Sequence, residues 1–137
     1  MSLLETLSPN EIIDKWVTAL KSGQYQQGHY KLKYEKDGQF YYCCLGVLCE
    51  VLEIPSAVCC DDDRNGHKIY RFGIDDKVLP PQICDRLKIG PTGMNSESNS
   101  LAYKNDEGST FLEIANFIES RPNDLFNLKE FEWSVKI

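Results

Sequence analysis

The chain has 137 residues, a formal net charge of −6 and a hydrophobic fraction of 42%. That is enough apolar material for the core of one compact domain, so residues 1–137 are read as a single domain and global disorder is excluded. The acidic balance argues against gripping long nucleic acid through a basic surface, and no apolar run approaches the roughly 18 residues that a membrane-spanning helix needs.

Residues 1–6 lack the basic start and long apolar stretch of an export signal, so a cytoplasmic location is expected. Ser8-Pro9-Asn10-Glu11 then opens a helix. Ser8 is the cap, Pro9 suits the first helical position, and Glu11 closes a capping box. Ile12, Ile13, Trp16, Val17, Ala19 and Leu20 recur at helical spacing, and Gly23 after Ser22 is a left-handed stop. The spacing predicts a helix over 9–21, followed by a polar connector over 24–28.

From Tyr30 the pattern alternates: Tyr30, Leu32 and Tyr34 against Lys31, Lys33 and Glu35. That is the period of a half-buried strand. Asp37-Gly38 is a hairpin signal, with residues 39–42 as the returning strand. Residues 43–52 (CCLGVLCEVL) are the most apolar stretch in the chain, with Glu50 as the one charge. A helix apolar nearly all round is buried at the centre of its domain. Gly46 inside it costs about 1 kcal/mol relative to Ala, which close packing against another backbone would offset.

After Pro55 a second hairpin is expected: residues 56–60, a turn over 61–66, and a strand over 67–72. Leu79-Pro80-Pro81 opens a short helix over 81–88, stopped by Gly90-Pro91. Residues 90–100 form a Gly/Ser/Asn-rich loop. Leu101-Ala102-Tyr103 reads as one more short strand, and residues 105–108 as a turn. Ser109 or Thr110 caps a last helix carrying Phe111, Leu112, Ile114, Ala115, Phe117 and Ile118. Phe131, Trp133 and Val135 alternate with polar residues, which predicts a C-terminal strand. The expected fold class is α+β: a small, mainly antiparallel sheet packed on the buried 43–52 helix, with the first and last helices covering it.

Six cysteines, at 43, 44, 49, 59, 60 and 84, and two histidines, His29 and His67, are the candidate metal ligands. Their spacings match no common zinc pattern, and thiols in so apolar a setting are read as reduced core residues. Asp61-x-Asp63-x-Asn65-Gly66 matches the first half of a calcium loop. Phe72 stands where that loop needs its bidentate glutamate, and an Asp/Asn-rich hairpin turn explains the same residues. No phosphate loop, HExxH or nucleophile elbow is present. No catalytic residue, metal ligand or cofactor is assigned. The candidate ligand-binding residues are Tyr25, Gln27, Lys31, Asn105 and Asp106, where aromatic, amide and basic side chains collect at the ends of elements.

Three segments carry a resemblance: Trp16-x-x-Ala19-Leu20-x-Ser22-Gly23-x-Tyr25-x-Gln27-Gly28, then Cys43-Cys44-Leu45-Gly46-Val47-Leu48-Cys49, then Asn105-Asp106-x-Gly108-x-x-Phe111-x-x-Ile114-Ala115-x-x-Ile118-Glu119. Together they resemble a family of small proteins encoded by tailed bacteriophages. The resemblance implies a phage protein acting in the host bacterial cytoplasm, where such accessory proteins interfere with host machinery or antiviral defence. It supplies no catalytic residues.

The leading expectation is therefore a non-enzymatic accessory protein that binds a host component, concretely one that sequesters a nucleotide-type defence signal at Tyr25, Gln27, Lys31, Asn105 and Asp106. A second is an acidic inhibitor of a host protein. A third is a metal-dependent enzyme or metal-stabilised module. The partners expected are a small anionic ligand or a host protein, with neither long nucleic acid nor membrane; the oligomeric state is left open, a homo-oligomer included.

Overall fold

The computed structural model describes residues 3–62, 66–73, 76–93 and 100–120. The fold class is α+β, as expected. A one-turn helix α1 (Leu3–Thr6) precedes α2 (Pro9–Ser22). Ser8 Oγ accepts from the Glu11 amide while the Glu11 carboxylate accepts from the Ser8 amide, and Gly23 ends the helix at φ 79°. These local signals place α2 where the spacing puts it. Its apolar stripe of Ile12, Ile13, Trp16 and Leu20 is buried.

The chain then forms β1 (Gln26–Gln27), β2 (Lys33–Lys36) and β3 (Gln39–Tyr42). Asp37 and Gly38 both take positive φ, 54° and 80°, as a two-residue hairpin twisted with its strands requires. Helix α3 (Cys44–Val51) is the expected central element, with residues 44–49 all buried. A second hairpin, β4 (Ser56–Asp62) and β5 (His67–Phe72), follows, with a register shift between Val58 and Cys60. Helices α4 (Pro81–Leu87), α5 (Leu101–Asp106) and α6 (Phe111–Glu119) complete the described chain. The strands lie in the order β1-β3-β2-β5-β4, and only the β1–β3 pairing is parallel.

Helix α3 sits at the centre. Trp16 of α2 donates its indole N–H to the Cys44 carbonyl at 2.9 Å. Helix α6 packs along α2, and Lys21 bridges Glu119 at 2.7 Å. Gly46 marks the closest approach to the sheet: a Cβ there would overlap the Leu32 carbonyl. Seating α3 directly under the start of β2 thus requires the glycine. Arg86 of α4 donates to the Leu4 and Leu7 carbonyls at 3.2 and 2.7 Å, tying α4 to α1.

Register assigns the sheet two faces, because directly paired residues share a face and neighbours along a strand alternate. Lys33, Tyr42 and Tyr70 stand in one row on the face toward α3. Tyr34, Tyr41 and Ile69 stand in a row on the other. On the inner face the Lys33 ammonium is enclosed by rings, with Nζ at 4.8, 5.8, 4.7 and 5.9 Å from the centroids of Phe40, Tyr42, Tyr70 and Phe72. It also meets Glu50, the one charge of α3, at 3.7 Å, and Ser56 Oγ at 3.4 Å.

Several expectations are corrected. Strand β2 begins at Lys33, not Tyr30. Tyr30 has φ 72° and is exposed, so the alternation across 30–35 is coincidental and Lys33 lies inside rather than on a polar face. Residues 101–103 are helix, because Ser100 Oγ caps the Tyr103 amide and starts α5. Asn105 and Asp106 therefore end a helix instead of making a turn. The 24–28 connector contains β1, whose pairing with a strand outside its own neighbourhood left no local signal. Lys88, at φ 56°, ends α4 before Gly90 is reached. The C-terminal strand, the tip of the 61–66 turn with its half calcium motif, and most of the 90–100 loop lie outside the described residues.

Candidate functional site

The first amides of a helix need partners. Cys43, the N-cap of α3, supplies no side-chain hydrogen bond. The partner comes from α5 instead. Asn105 Oδ1 accepts from the Cys44 amide at 3.2 Å and from Gln27 Nε2 at 2.9 Å. Its Nδ2 donates to the Gly28 carbonyl at 2.8 Å and to Asp106 Oδ1 at 3.3 Å. Gln27 Nε2 also donates to the Ser109 carbonyl at 2.8 Å. Asn105 is fully buried, where each unmade hydrogen bond would cost about 1–3 kcal/mol. One carboxamide thus joins α3, α5 and the segment leaving β1.

The same cluster shapes residues 28–32. Asp106 Oδ1 accepts from the Tyr30 amide at 2.8 Å. The Leu32 amide donates to the Asp76 carbonyl at 2.8 Å, and Lys31 Nζ pairs with Asp76 at 3.0 Å. Gly28 donates to the Tyr42 carbonyl at 2.7 Å, and a Cβ on it would come within 2.7 Å of the Tyr34 ring. This clasp holds Tyr30 at φ 72°, a left-handed conformation that costs a non-glycine residue about 1–2 kcal/mol. Tyr30 gains no burial in return: it is 67% exposed, with the His29 ring 6.2 Å away. A strained backbone that displays an aromatic ring to solvent is the pattern expected of a contact residue.

Of the five candidates singled out by sequence, the fold brings Gln27, Asn105 and Asp106 together. Asn105 and Asp106 work through the loop that they position, since both polar atoms of the Asn105 carboxamide and the Oδ1 of Asp106 are engaged in the clasp. Lys31 belongs to the same loop but is committed to Asp76. Tyr25 stands in a different contact, edge-on to Tyr42 at 5.3 Å, and lines an open groove of about 470 Å³ along α2 with Lys15, Thr18 and Ser22. Burial first, and the Glu50 carboxylate second, push the Tyr25 phenol above its usual pKa. Sequence reasoning missed Tyr30, assigning it to a strand; a glycine two positions before it was the one available sign of an irregular backbone.

The thiols at the base of the clasp are inert. Burial pushes the Cys43 thiol up to about 12, and raises Cys44 and Cys49 well above the usual value for the same reason. Neutral buried thiols are poor nucleophiles. Among the described residues, no three His, Cys, Asp or Glu side chains are grouped so as to hold a metal ion. Among them too, no helix is long and apolar enough to cross a membrane.

A family model described as a domain of unknown function (DUF8296) matches residues 9–122. The chain belongs to this family. No curated protein and no solved structure matches the chain. The span shared with DUF8296 contains the whole clasp, from Gln27 through Asn105 and Asp106 to Ser109.

Proposed function

We propose that this chain is a non-enzymatic accessory protein of phage type, acting in the host bacterial cytoplasm, that binds a host component at the clasped loop. The component is a small nucleotide-type defence signal, which the protein sequesters. The observation that carries this reading is Tyr30: an exposed aromatic ring held in an unfavourable backbone conformation by the Asp106 carboxylate. Tyr30 and His29 offer flat faces for a heterocycle, and the adjacent Lys31 offers a cation for a phosphate once it exchanges Asp76 for the ligand. Binding is favoured over covalent chemistry because the thiols of the α3 segment are held neutral.

Calorimetry of the full chain against cyclic nucleotides and ADP-ribose derivatives tests the reading. The expected result is saturable heat with at least one of them, lost in Tyr30→Ala. Absence of heat across the panel overturns the ligand, and heat that survives Tyr30→Ala unchanged overturns the site.

A further inference from the structure

The outer face of the sheet carries a feature the clasped loop does not use. The rings of Tyr41, Tyr34 and His67 stack across β3, β2 and β5. Tyr41 and Tyr34 lie 5.2 Å apart at 14°, and Tyr34 and His67 lie 4.8 Å apart at 18°. Three nearly parallel rings on neighbouring strands form a ladder. Among the described residues no fourth ring continues it. The core cluster takes in Tyr42 and Phe72 of the inner face but neither Ile69 nor any ring of the ladder, so the helices back the opposite side.

The polar surroundings are specific. Lys36 is exposed and is the direct cross-strand partner of His67 on this face. Gln39, its partner on the other side, accepts from Gln26 at 3.3 Å. The face therefore presents stacked aromatic rings, a lysine beside the last ring, and a pair of exposed amides. Tyr34 has a ring against each of its faces, whereas His67, at one end of the ladder, has a single ring stacked on it among the described residues. Such an end face stacks heterocycles with little regard to sequence, an ammonium binds phosphate oxygens, and primary amides pair with the hydrogen-bonding edge of a base.

We propose that the His67 end of the Tyr41–Tyr34–His67 ladder is the surface on which the base of a mononucleotide stacks, with Lys36 meeting its phosphate. This goes beyond the clasped loop, rests on the nucleotide-binding reading above for the class of ligand, and adds a ring platform on the sheet to the one at Tyr30. The occupant is a single nucleotide unit rather than a nucleic acid strand. One lysine serves one phosphate, and a chain of net charge −6 repels a long polyanion. Gly28 links the two surfaces, since it is clasped by Asn105 on its carbonyl and covered by the Tyr34 ring on its other side.

The test is calorimetry of the full chain with AMP, adenosine, inorganic phosphate and an eight-residue oligothymidylate, with thermal melts confirming that each variant folds. AMP is expected to bind, with adenosine about tenfold weaker, as befits loss of one charge-assisted contact. Lys36→Ala should lower AMP affinity to the level of adenosine and leave adenosine unchanged. His67→Ala should weaken both, and Tyr34→Phe, which keeps the stack, should weaken neither. Phosphate binding as tightly as AMP, oligothymidylate binding more tightly than AMP, or AMP affinity unaffected by His67→Ala would each overturn the proposal. The two surfaces separate cleanly. AMP binding lost in Tyr30→Ala but kept in His67→Ala sinks the ladder and leaves the loop standing; the reverse leaves the ladder and sinks the loop.

Discussion

The inner face of the sheet closes its rings around a cation, whereas the outer face stacks its rings on one another. Inside, Phe40, Tyr42, Tyr70 and Phe72 surround the Lys33 ammonium, and Glu50 completes the charge balance. Outside, Tyr41, Tyr34 and His67 satisfy each other's faces, while the charge of Lys36 stays in water. The same residue types thus serve two ends. A buried ammonium loses its hydration and must replace it with π faces and a carboxylate. The half-buried ladder has no dehydrated charge to compensate, and His67 at its end keeps one face with no ring stacked on it among the described residues. Energetically, the helix-backed side should hold the fold and the outer side should be tolerant.

The largest effect that would sharpen this contrast is Gly46→Ala. The added Cβ meets the backbone of Leu32, which cannot rotate away, so a loss exceeding about 3 kcal/mol is expected, at or beyond the usual range for overpacking. Chemical denaturation measures it; a near-native midpoint would show that α3 is not seated as tightly as described. Asn105→Ala comes next, at about 3 kcal/mol, because the Cys44 amide and the Gly28 carbonyl lose their buried partner. Asn105→Asp should recover only part of that loss. A carboxylate still accepts from Cys44 and Gln27, but it meets the Gly28 carbonyl and Asp106 without a proton to donate.

Lys33→Met keeps the length of the side chain and removes its charge. A cost of about 1–2 kcal/mol is expected from the lost cation–π contacts. A gain in stability would break the contrast, by showing that dehydrating the ammonium costs more than the rings return. The thiols on the same side give a pH signature. The Cys43 thiol rises from 9.0 to about 12 on folding, so the folded state keeps its proton to higher pH than the unfolded chain. Its contribution is complete below pH 9.0 and is lost as the pH rises toward 12, at about 1.4 kcal/mol per unit. Urea titrations of wild type and Cys43→Ala should therefore converge as the pH is raised through that window. On the outer face, Tyr34→Leu removes both ring stacks and should cost about 1 kcal/mol, the smallest effect of the set. A loss rivalling that of Asn105→Ala would mean that the ladder is part of the core after all.

How much of this is legible in the sequence follows from how far apart the cooperating residues lie. Ser8, Pro9, Glu11 and Gly23 act within one helix, and their spacing places α2 to within a residue. Asp37-Gly38 and the apolar run around Gly46 are equally local, so the first hairpin and α3 are readable. Asn105 stands out for its chemistry but not for its task, because the amide that it caps is 61 residues away. Tyr30 takes its φ from a carboxylate 76 residues on, and no pattern in its neighbourhood records that. Lys33 shows the limit of periodicity. Alternation puts it on the polar face, whereas its ammonium finds four rings and a carboxylate inside. Residue chemistry points to side chains worth attention; only the fold reveals that several of them serve to position Tyr30.

The Asn105 clasp also sets an order of events. Its bonds join residues separated by 61, 77 and 78 positions, so they close large loops and form late relative to local turns. During synthesis the chain emerges from its N-terminus, and α3 is complete long before residue 105 exists. The most apolar segment of the protein must then wait, with its first turn unsatisfied, until most of the chain has been made. During that interval the apolar segment has neither its Asn105 cap nor the helices that later cover it, which is the condition that chaperones and proteases act on.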